Sequence, residues 1–361
     1  MPTHAVAQVF DGPGRPLRMQ EFPLPDSLAP GEVLVALRLA TVCGSDLHTI
    51  EGRRSEPTPA ILGHEGVGEV VRYGPGRDTL HESDRVTWSI ADNCGACPFC
   101  TDYELPEKCD QLFKYGHATT ADGCGLNGTY ASHVILRRGT RIVPVSDLLA
   151  DSLVAPANCA LATVTNMLSQ LPPTVTSVLV QGAGLLGIYA CTMLRERGVE
   201  HVFCADPVPQ RRVLAQRFGA EPMPCDTDSA AERRDRIREA SSHGVDAVLE
   251  LSGDRTALPE GVEHLRVGGV YLLAGMVHPD SDLGGVTGEQ IIRKCLTLRG
   301  VHNYSPHHLE EGIAFLERTV DRFPYADLVS PPVPLSRFEE ALELSAKRRW
   351  LRVAVTPKES A

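Results

Sequence analysis

From residue 1 to about 150 the apolar positions come in short runs, such as Glu32-Val33-Leu34-Val35-Ala36-Leu37 and Gly66-Val67-Gly68-Glu69-Val70-Val71, separated by Gly, Pro and other turn formers. Short runs of β-branched residues bounded by turn signals predict a β-rich, barrel-like domain. From about 160 to 300 the pattern changes. Apolar runs at 177–180, 202–205, 245–251 and 269–273 alternate with stretches of helical periodicity at 185–197 and 208–218. Such alternation predicts βαβ units and a parallel sheet, hence an α/β fold. The remainder has helical periodicity near 307–318 and 336–346 and ends in a strand-like run at 350–355.

At 361 residues and 42% hydrophobic content, the chain is long enough for two domains with sizeable cores. Its 46 acidic against 35 basic side chains give a net charge of -11, which argues against nucleic acid or an anionic membrane as partner. No apolar run is long enough to cross a membrane and no leader precedes the first strand, so a cytoplasmic protein is expected. Eleven cysteines in that setting read as metal ligands and reduced thiols rather than disulfides.

Candidate chemistry concentrates in three places. Residues 43–65 read C-G-S-D-L-H-T-I-E-G-R-R-S-E-P-T-P-A-I-L-G-H-E, with Cys43 and His64 as metal-ligand types and Ser45 and His48 between them, a hydroxyl and an imidazole spaced to pass a proton. A catalytic zinc needs three protein ligands and one open position, and Cys159 in A-P-A-N-C-A-L-A-T is the candidate third. Cys94, Cys97, Cys100 and Cys109 provide four thiols close in sequence, enough to close a structural shell with no room for substrate. The run Val178-Leu179-Val180-Gln181-Gly182-Ala183-Gly184-Leu185-Leu186-Gly187 follows an apolar strand and opens a helix, the setting of a dinucleotide loop. There Gly182 permits the turn, Gly184 the approach of a pyrophosphate and Gly187 close helix packing, with Leu185 and Leu186 beginning the helix. Asp206 ends the next strand and is placed for ribose hydroxyls, favouring NAD over NADP; Arg211 and Arg212 are the opposing signal. The other cysteines, 124, 191, 204, 225 and 295, lie mostly in apolar segments and are expected to be core thiols.

These pieces, in this order, resemble the zinc-dependent medium-chain alcohol dehydrogenases over nearly the whole chain. The resemblance implies a GroES-like catalytic domain at 1–158 with a structural zinc lobe at about 91–112. A doubly wound Rossmann NAD domain would follow at 159–300, and 301–361 would return to the catalytic domain. It further implies two zinc ions per chain, NAD, a small alcohol or aldehyde substrate, and a homodimer or homotetramer. Ser45 would touch the substrate oxygen and relay its proton through the cofactor ribose to His48. Asp46 would stand behind His64, and Glu65 behind the zinc or transiently on it. The last gap of the cysteine cluster is one residue longer than the family's usual spacing. Polyol dehydrogenases of the family typically carry a glutamate in place of a cysteine ligand near 155–159, so Ala155 and Cys159 favour a simple alcohol or aldehyde. Arg53, Arg54 and Ile90 fall where the family's substrate cleft is bordered. The pattern C-G-S-D-L-H-T-x-x-G-R-R resembles a subgroup proposed to act in phosphonate metabolism, which would supply an anion for an arginine. The alternatives are a dehydrogenase of neutral secondary alcohols or polyols and, from another class, a silent NAD-binding relative.

Overall fold

The computed structural model describes residues 3–225, 230–277 and 281–359. It divides into two units, Met1–Ala162 with Tyr304–Ala361, and Thr163–Asn303.

In the first unit, β1 (His4–Phe10), β2 (Arg18–Pro23), β3 (Val33–Val42), β4 (Ala60–Ile61), β5 (Glu65–Tyr73) and β6 (Arg85–Trp88) are followed by a short hairpin, β7 (Ala91–Asp92) with β8 (Phe113–Lys114). Strands β9 (His133–Leu136) and β10 (Ile142–Pro144) complete the N-terminal set. Three short helices interrupt it, α1 (Gly44–Ile50), α2 (Pro98–Thr101) and α3 (Asp151–Val154). β3 is the central strand: V-L-V-A-L-R-L-A-T-V is buried along nearly its whole length, and it pairs antiparallel with β5 and β9. Gly68 on β5 permits that pairing, since a Cβ there would lie 2.4 Å from the carbonyl oxygen of Ala36. Trp88, Tyr115, Tyr130 and Phe338 are fully buried in this unit's core, each worth about 1.5–3 kcal/mol of burial.

In the second unit the chain runs through α4 (Ala160–Ser169), β11 (Ser177–Gln181), α5 (Leu185–Glu196), β12 (His201–Ala205), α6 (Pro209–Arg217), β13 (Glu221–Met223), α7 (Ala230–Ala240), β14 (Val245–Glu250), α8 (Ala257–His264), β15 (Leu265–Leu273), α9 (Gly288–Arg293) and β16 (Thr297–Gly300). The six strands form a parallel sheet in the order β13-β12-β11-β14-β15-β16. The order reverses between β11 and β14, and ligands of doubly wound sheets bind beyond the strand ends at such a reversal. Apolar patterning alone does not predict α7, because A-A-E-R-R-D-R-I-R-E-A carries little apolar stripe.

The remaining segment holds α10 (His307–Thr319), β17 (Val333–Pro334), α11 (Phe338–Ala346) and β18 (Val353–Thr356). β18 inserts between β3 and β17 and so completes the seven-stranded sheet of the first unit. No helix among the described residues is long and apolar enough to cross a membrane.

Candidate active site

β3 ends at Val42, and Cys43 caps α1, so the Cys43 thiol sits at a strand-to-helix junction. The Asp46 carboxylate fixes that junction by accepting the Cys43 N–H at 3.0 Å and the Tyr130 hydroxyl at 2.6 Å. Its other oxygen lies 3.4 Å from Nδ1 of His64, which leaves Nε2 as the nitrogen for a metal. Gly63 makes the turn before His64 with φ +86, and a Cβ there would lie 2.5 Å from Thr129 Oγ1. Cys159 arrives from a 3₁₀ turn, Ala155–Asn158. The side chain of Asn158 donates to the carbonyls of His64 and Trp88, both at 3.0 Å, while Tyr304 donates its hydroxyl to the Asn158 carbonyl. The ligand atoms of Cys43, His64, Glu65 and Cys159 all lie within 4.8 Å of one another.

The electrostatics of this cluster fit a cation. The Cys159 thiol beside it holds Cys43 well below the usual thiol range, with Arg352 and His64 adding to the effect. Cys159 is pushed the other way, first by Cys43 and then by burial. Two thiols this close ionise together only with positive charge between them. Burial disfavours the charged form of His64, but the Asp46 carboxylate overcomes it and holds the imidazole well above its ordinary value. Glu65 is fully buried. Burial pushes it up to about 7 against the pull of Arg352. Both its oxygens accept from Arg352 Nε, at 2.9 and 3.1 Å, and one also accepts the Thr41 hydroxyl at 2.5 Å. Glu65 is therefore close to the cluster but engaged from behind.

Ser45 is half-buried and His48 exposed, one helical turn apart on α1 and so on one face. Arg53 pairs with Glu51 at the surface, and Arg54 donates to Glu56 Oε1 at 2.7 Å. The same oxygen takes Nδ1 of His117 at 3.0 Å, and the His117 ring stacks on His64 with centroids 5.3 Å apart. Burial, together with His64 and Arg54, keeps His117 below the usual imidazole value despite Glu56. Ile90 is buried, its N–H donating to the Tyr304 hydroxyl at 3.0 Å.

Cys94, Cys97, Cys100 and Cys109 converge on the loop around α2. Sulfur separations of 3.6, 3.8 and 4.0 Å link Cys97 to Cys100, Cys97 to Cys109 and Cys94 to Cys100. A tetrahedral shell with Zn–S bonds of about 2.3 Å has edges of about 3.8 Å. Backbone N–H groups already point at the sulfurs, with Cys97 donating to Cys94 and Cys94 to Cys109, each at 3.3 Å. The N–H of Asp110 is the main reason that the Cys97 thiol falls to about 6.

In the second unit Gly182 has φ +101, and a Cβ on Gly187 would lie 1.8 Å from the Gly182 carbonyl oxygen. A Cβ on Gly184, which caps α5, would meet nothing within 4 Å. Leu185 is buried at the start of α5 and Leu186 half-buried. Asp206 is buried, one oxygen accepting the Ala183 N–H and the other the Val208 N–H, both at 2.8 Å. Arg211 approaches the carboxylate to 3.9 Å, and Arg212 donates to the Asp206 carbonyl.

Two family models match the chain, an alcohol dehydrogenase GroES-like domain over residues 29–147 and a zinc-binding dehydrogenase over 186–318. The 5-exo-hydroxycamphor dehydrogenase of Pseudomonas putida is 30% identical over 341 residues, which cover 90% of this chain and 91% of that protein. The chain belongs to the zinc-type medium-chain dehydrogenase family. An alcohol dehydrogenase from Thermotoga maritima superposes with a TM-score of 0.92 at 31% identity, covering 98% of this chain and 100% of that one. An L-threonine 3-dehydrogenase of Caldanaerobacter subterraneus is 25% identical over 98% of both chains. The protein is thus an alcohol dehydrogenase of the zinc-binding kind, with a GroES-like unit and a Rossmann unit.

For this zinc-type dehydrogenase, the sequence pattern pointed to Cys43, His64 and Cys159, and the family resemblance to Asp46 behind His64, but other groups that hold them were missed. Tyr130, Asn158 and Tyr304 act through long-range hydrogen bonds with no local motif. Arg352 did leave a signal: a lone guanidinium in the apolar run W-L-R-V-A-V requires a buried partner. Cys295 is a correction, because it is exposed with φ +50 at the end of α9 and is not a core thiol. Cys191 and Cys204 are buried, and Cys124 and Cys225 partly so.

Proposed function

We propose that this dehydrogenase interconverts an alcohol and its aldehyde or ketone with NAD, using a zinc held by Cys43, His64 and Cys159. The observation that carries this is the convergence of two thiols and one imidazole within 4.8 Å, backed by buried partners. Such a zinc is a Lewis acid that lowers the pKa of an alcohol oxygen and polarises a carbonyl. Ser45, two residues beyond Cys43, relays the hydroxyl proton by taking it up as it gives its own away, and His48, one turn on and exposed, is the group that receives the relayed proton and passes it to solvent. Asp46 orients His64 throughout, and Glu65 with Arg352 backs the centre. Cys94, Cys97, Cys100 and Cys109 hold a second zinc that pins their loop.

The cofactor loop is Gly182 to Gly187, and Asp206 opposes a 2′-phosphate by charge, with Arg211 beside it. The protein acts as a cytoplasmic homo-oligomer, dimer or tetramer. Support for assembly is that β16 ends its sheet, with Ile292, five residues before it, at 76% exposure and Val267, within β15, at 63%. On the substrate side the reading is an anionic alcohol or aldehyde, such as a phosphonate or carboxylate; Arg53 and Arg54 are paired with Glu51 and Glu56, and the half-buried cation Lys114 supports it. A neutral secondary alcohol or polyol is the second reading, supported by relatives named for hydroxycamphor and D-arabinitol.

The test is metal analysis joined to a nicotinamide absorbance assay over a panel of alcohols and aldehydes. Two zinc ions per chain and turnover with NAD are expected, and Cys43→Ser should lose one zinc and turnover while keeping its fold. Full turnover by Cys43→Ser, or none by the native chain with any substrate, would overturn the reading. Light scattering that finds a monomer would overturn the oligomer.

A further inference from the structure

We propose that Lys114, rather than Arg53 or Arg54, reads the anionic end of the substrate. This rests on the anionic-substrate reading above and names the residue that carries it. Arg53 already has Glu51, and Arg54 already has Glu56. Lys114 is half-buried, and its ammonium makes no hydrogen bond or ion pair with any described residue. Arg54 and Lys108 repel it, while Glu56, shared with Arg54 and His117, and the Cys159 sulfur attract it.

The backbone fixes Lys114 near the catalytic cluster. It pairs across the hairpin with Ala91, and the next residue, Tyr115, donates its N–H to the Ile90 carbonyl at 3.1 Å. The Ile90 N–H in turn meets the Tyr304 hydroxyl, which is bound to Asn158, the residue before Cys159. Among the groups of this frame, Lys114 has no counter-ion of its own. Zinc balances two thiolates, Arg352 balances Glu65 and Arg54 balances Glu56, so Lys114 stands uncompensated. Burial and its cationic neighbours bring its pKa down to about 8, still above neutral pH, so the ammonium persists. An oxyanion on the substrate supplies the missing charge.

The experiment compares the native enzyme with Lys114→Gln, Lys114→Arg and Arg54→Gln on succinic semialdehyde, phosphonoacetaldehyde and pentanal. Lys114→Gln should lower kcat/KM about 10- to 1000-fold for the two charged aldehydes, chiefly through KM, and leave pentanal unchanged. Lys114→Arg should recover much of the loss. The carboxylate and phosphonate arms tell which oxyanion is preferred. Independently, succinate should protect Lys114 from acetic anhydride in a mass-spectrometric footprint. If the native enzyme turns over neither charged aldehyde, the anionic-substrate reading fails, and the Lys114 assignment with it. If pentanal is used as well as the charged aldehydes and Lys114→Gln changes nothing, the Lys114 assignment fails alone. Equal loss on all three substrates, or a selective loss in Arg54→Gln only, likewise overturns it.

Discussion

Gly184 and Gly187 sit three residues apart in the same loop, yet their missing side chains do different work. Gly187 has no room for a methyl group, whereas Gly184 faces open space. Gly187→Ala should therefore destabilise the chain by about 3 kcal/mol or more through overpacking against backbone. Gly184→Ala should cost under about 1 kcal/mol, the scale of a helix-cap change, yet weaken NAD binding. Thermal melts with and without NAD, followed by NAD titration of both variants, check the split. On the proposed cofactor assignment, Asp206 combines both duties. Asp206→Gly should move cofactor preference toward NADP and also cost about 1–3 kcal/mol, because two buried N–H groups lose their acceptor. An unchanged ratio of NAD to NADP activity would mean that the carboxylate serves only the backbone. The strand-then-glycine pattern made the loop legible in the sequence; the hydrogen bond from Ala183 to Asp206 was not, since Ala183 precedes it by 23 positions.

Among the elements, the parallel sheet is fastened at one edge of its strands by Asp246 in β14. Its carboxylate accepts the N–H groups of Thr176 and Ser177 at 2.8 and 3.0 Å, and Arg266 Nε at 2.6 Å, and so joins the starts of β11, β14 and β15. Burial alone would raise its pKa, but Arg266 and those donors bring it to about 2 from 3.8. A depressed folded-state value means stability that is fully present above the unfolded value of 3.8 and is lost as pH falls through about 2. Asp246→Asn should then cost on the order of 2 kcal/mol at pH 7 and progressively less from pH 4 down to pH 2. Urea melts across that range check it; a pH-independent deficit would assign the effect to packing. The strands that Asp246 ties were readable as apolar runs. Their fastening was not, because D-A-V in G-V-D-A-V-L-E looks like any polar interruption near a strand start. Helix α1 escaped the pattern for another reason: at seven residues it is held by Asp46 at its first turn rather than by an apolar stripe.

At the scale of the whole chain, Arg352 and Glu65 are separated by 287 positions and form a buried ion pair next to the cysteines. Arg352→Met should lower stability by about 3–5 kcal/mol, because it strands a buried carboxylate. Adding Glu65→Gln should recover most of that loss. Calorimetry of both, with zinc content measured alongside, decides whether the pair acts on fold, metal or both. The two-part organisation was visible as a change of hydrophobic period near residue 160. The return of the last strand to the first sheet came from family resemblance, because no local pattern states which sheet a strand joins. That return has a consequence for synthesis on the ribosome. The parallel sheet is complete in the emerging chain once residue 300 has appeared, whereas Ala40–Val42, leading into Cys43, wait for Val353–Val355. At 5–20 residues per second the delay is roughly 3 to 11 seconds. For that interval an apolar strand edge stands open to other nascent chains, Glu65 lacks its counter-ion, and Cys43, the proposed zinc ligand, lies beside an unfinished sheet. On the proposed assignment of Cys43, the catalytic centre is thus complete only after residue 355 has emerged, and the yield of active enzyme should rise with chaperone cover during those seconds.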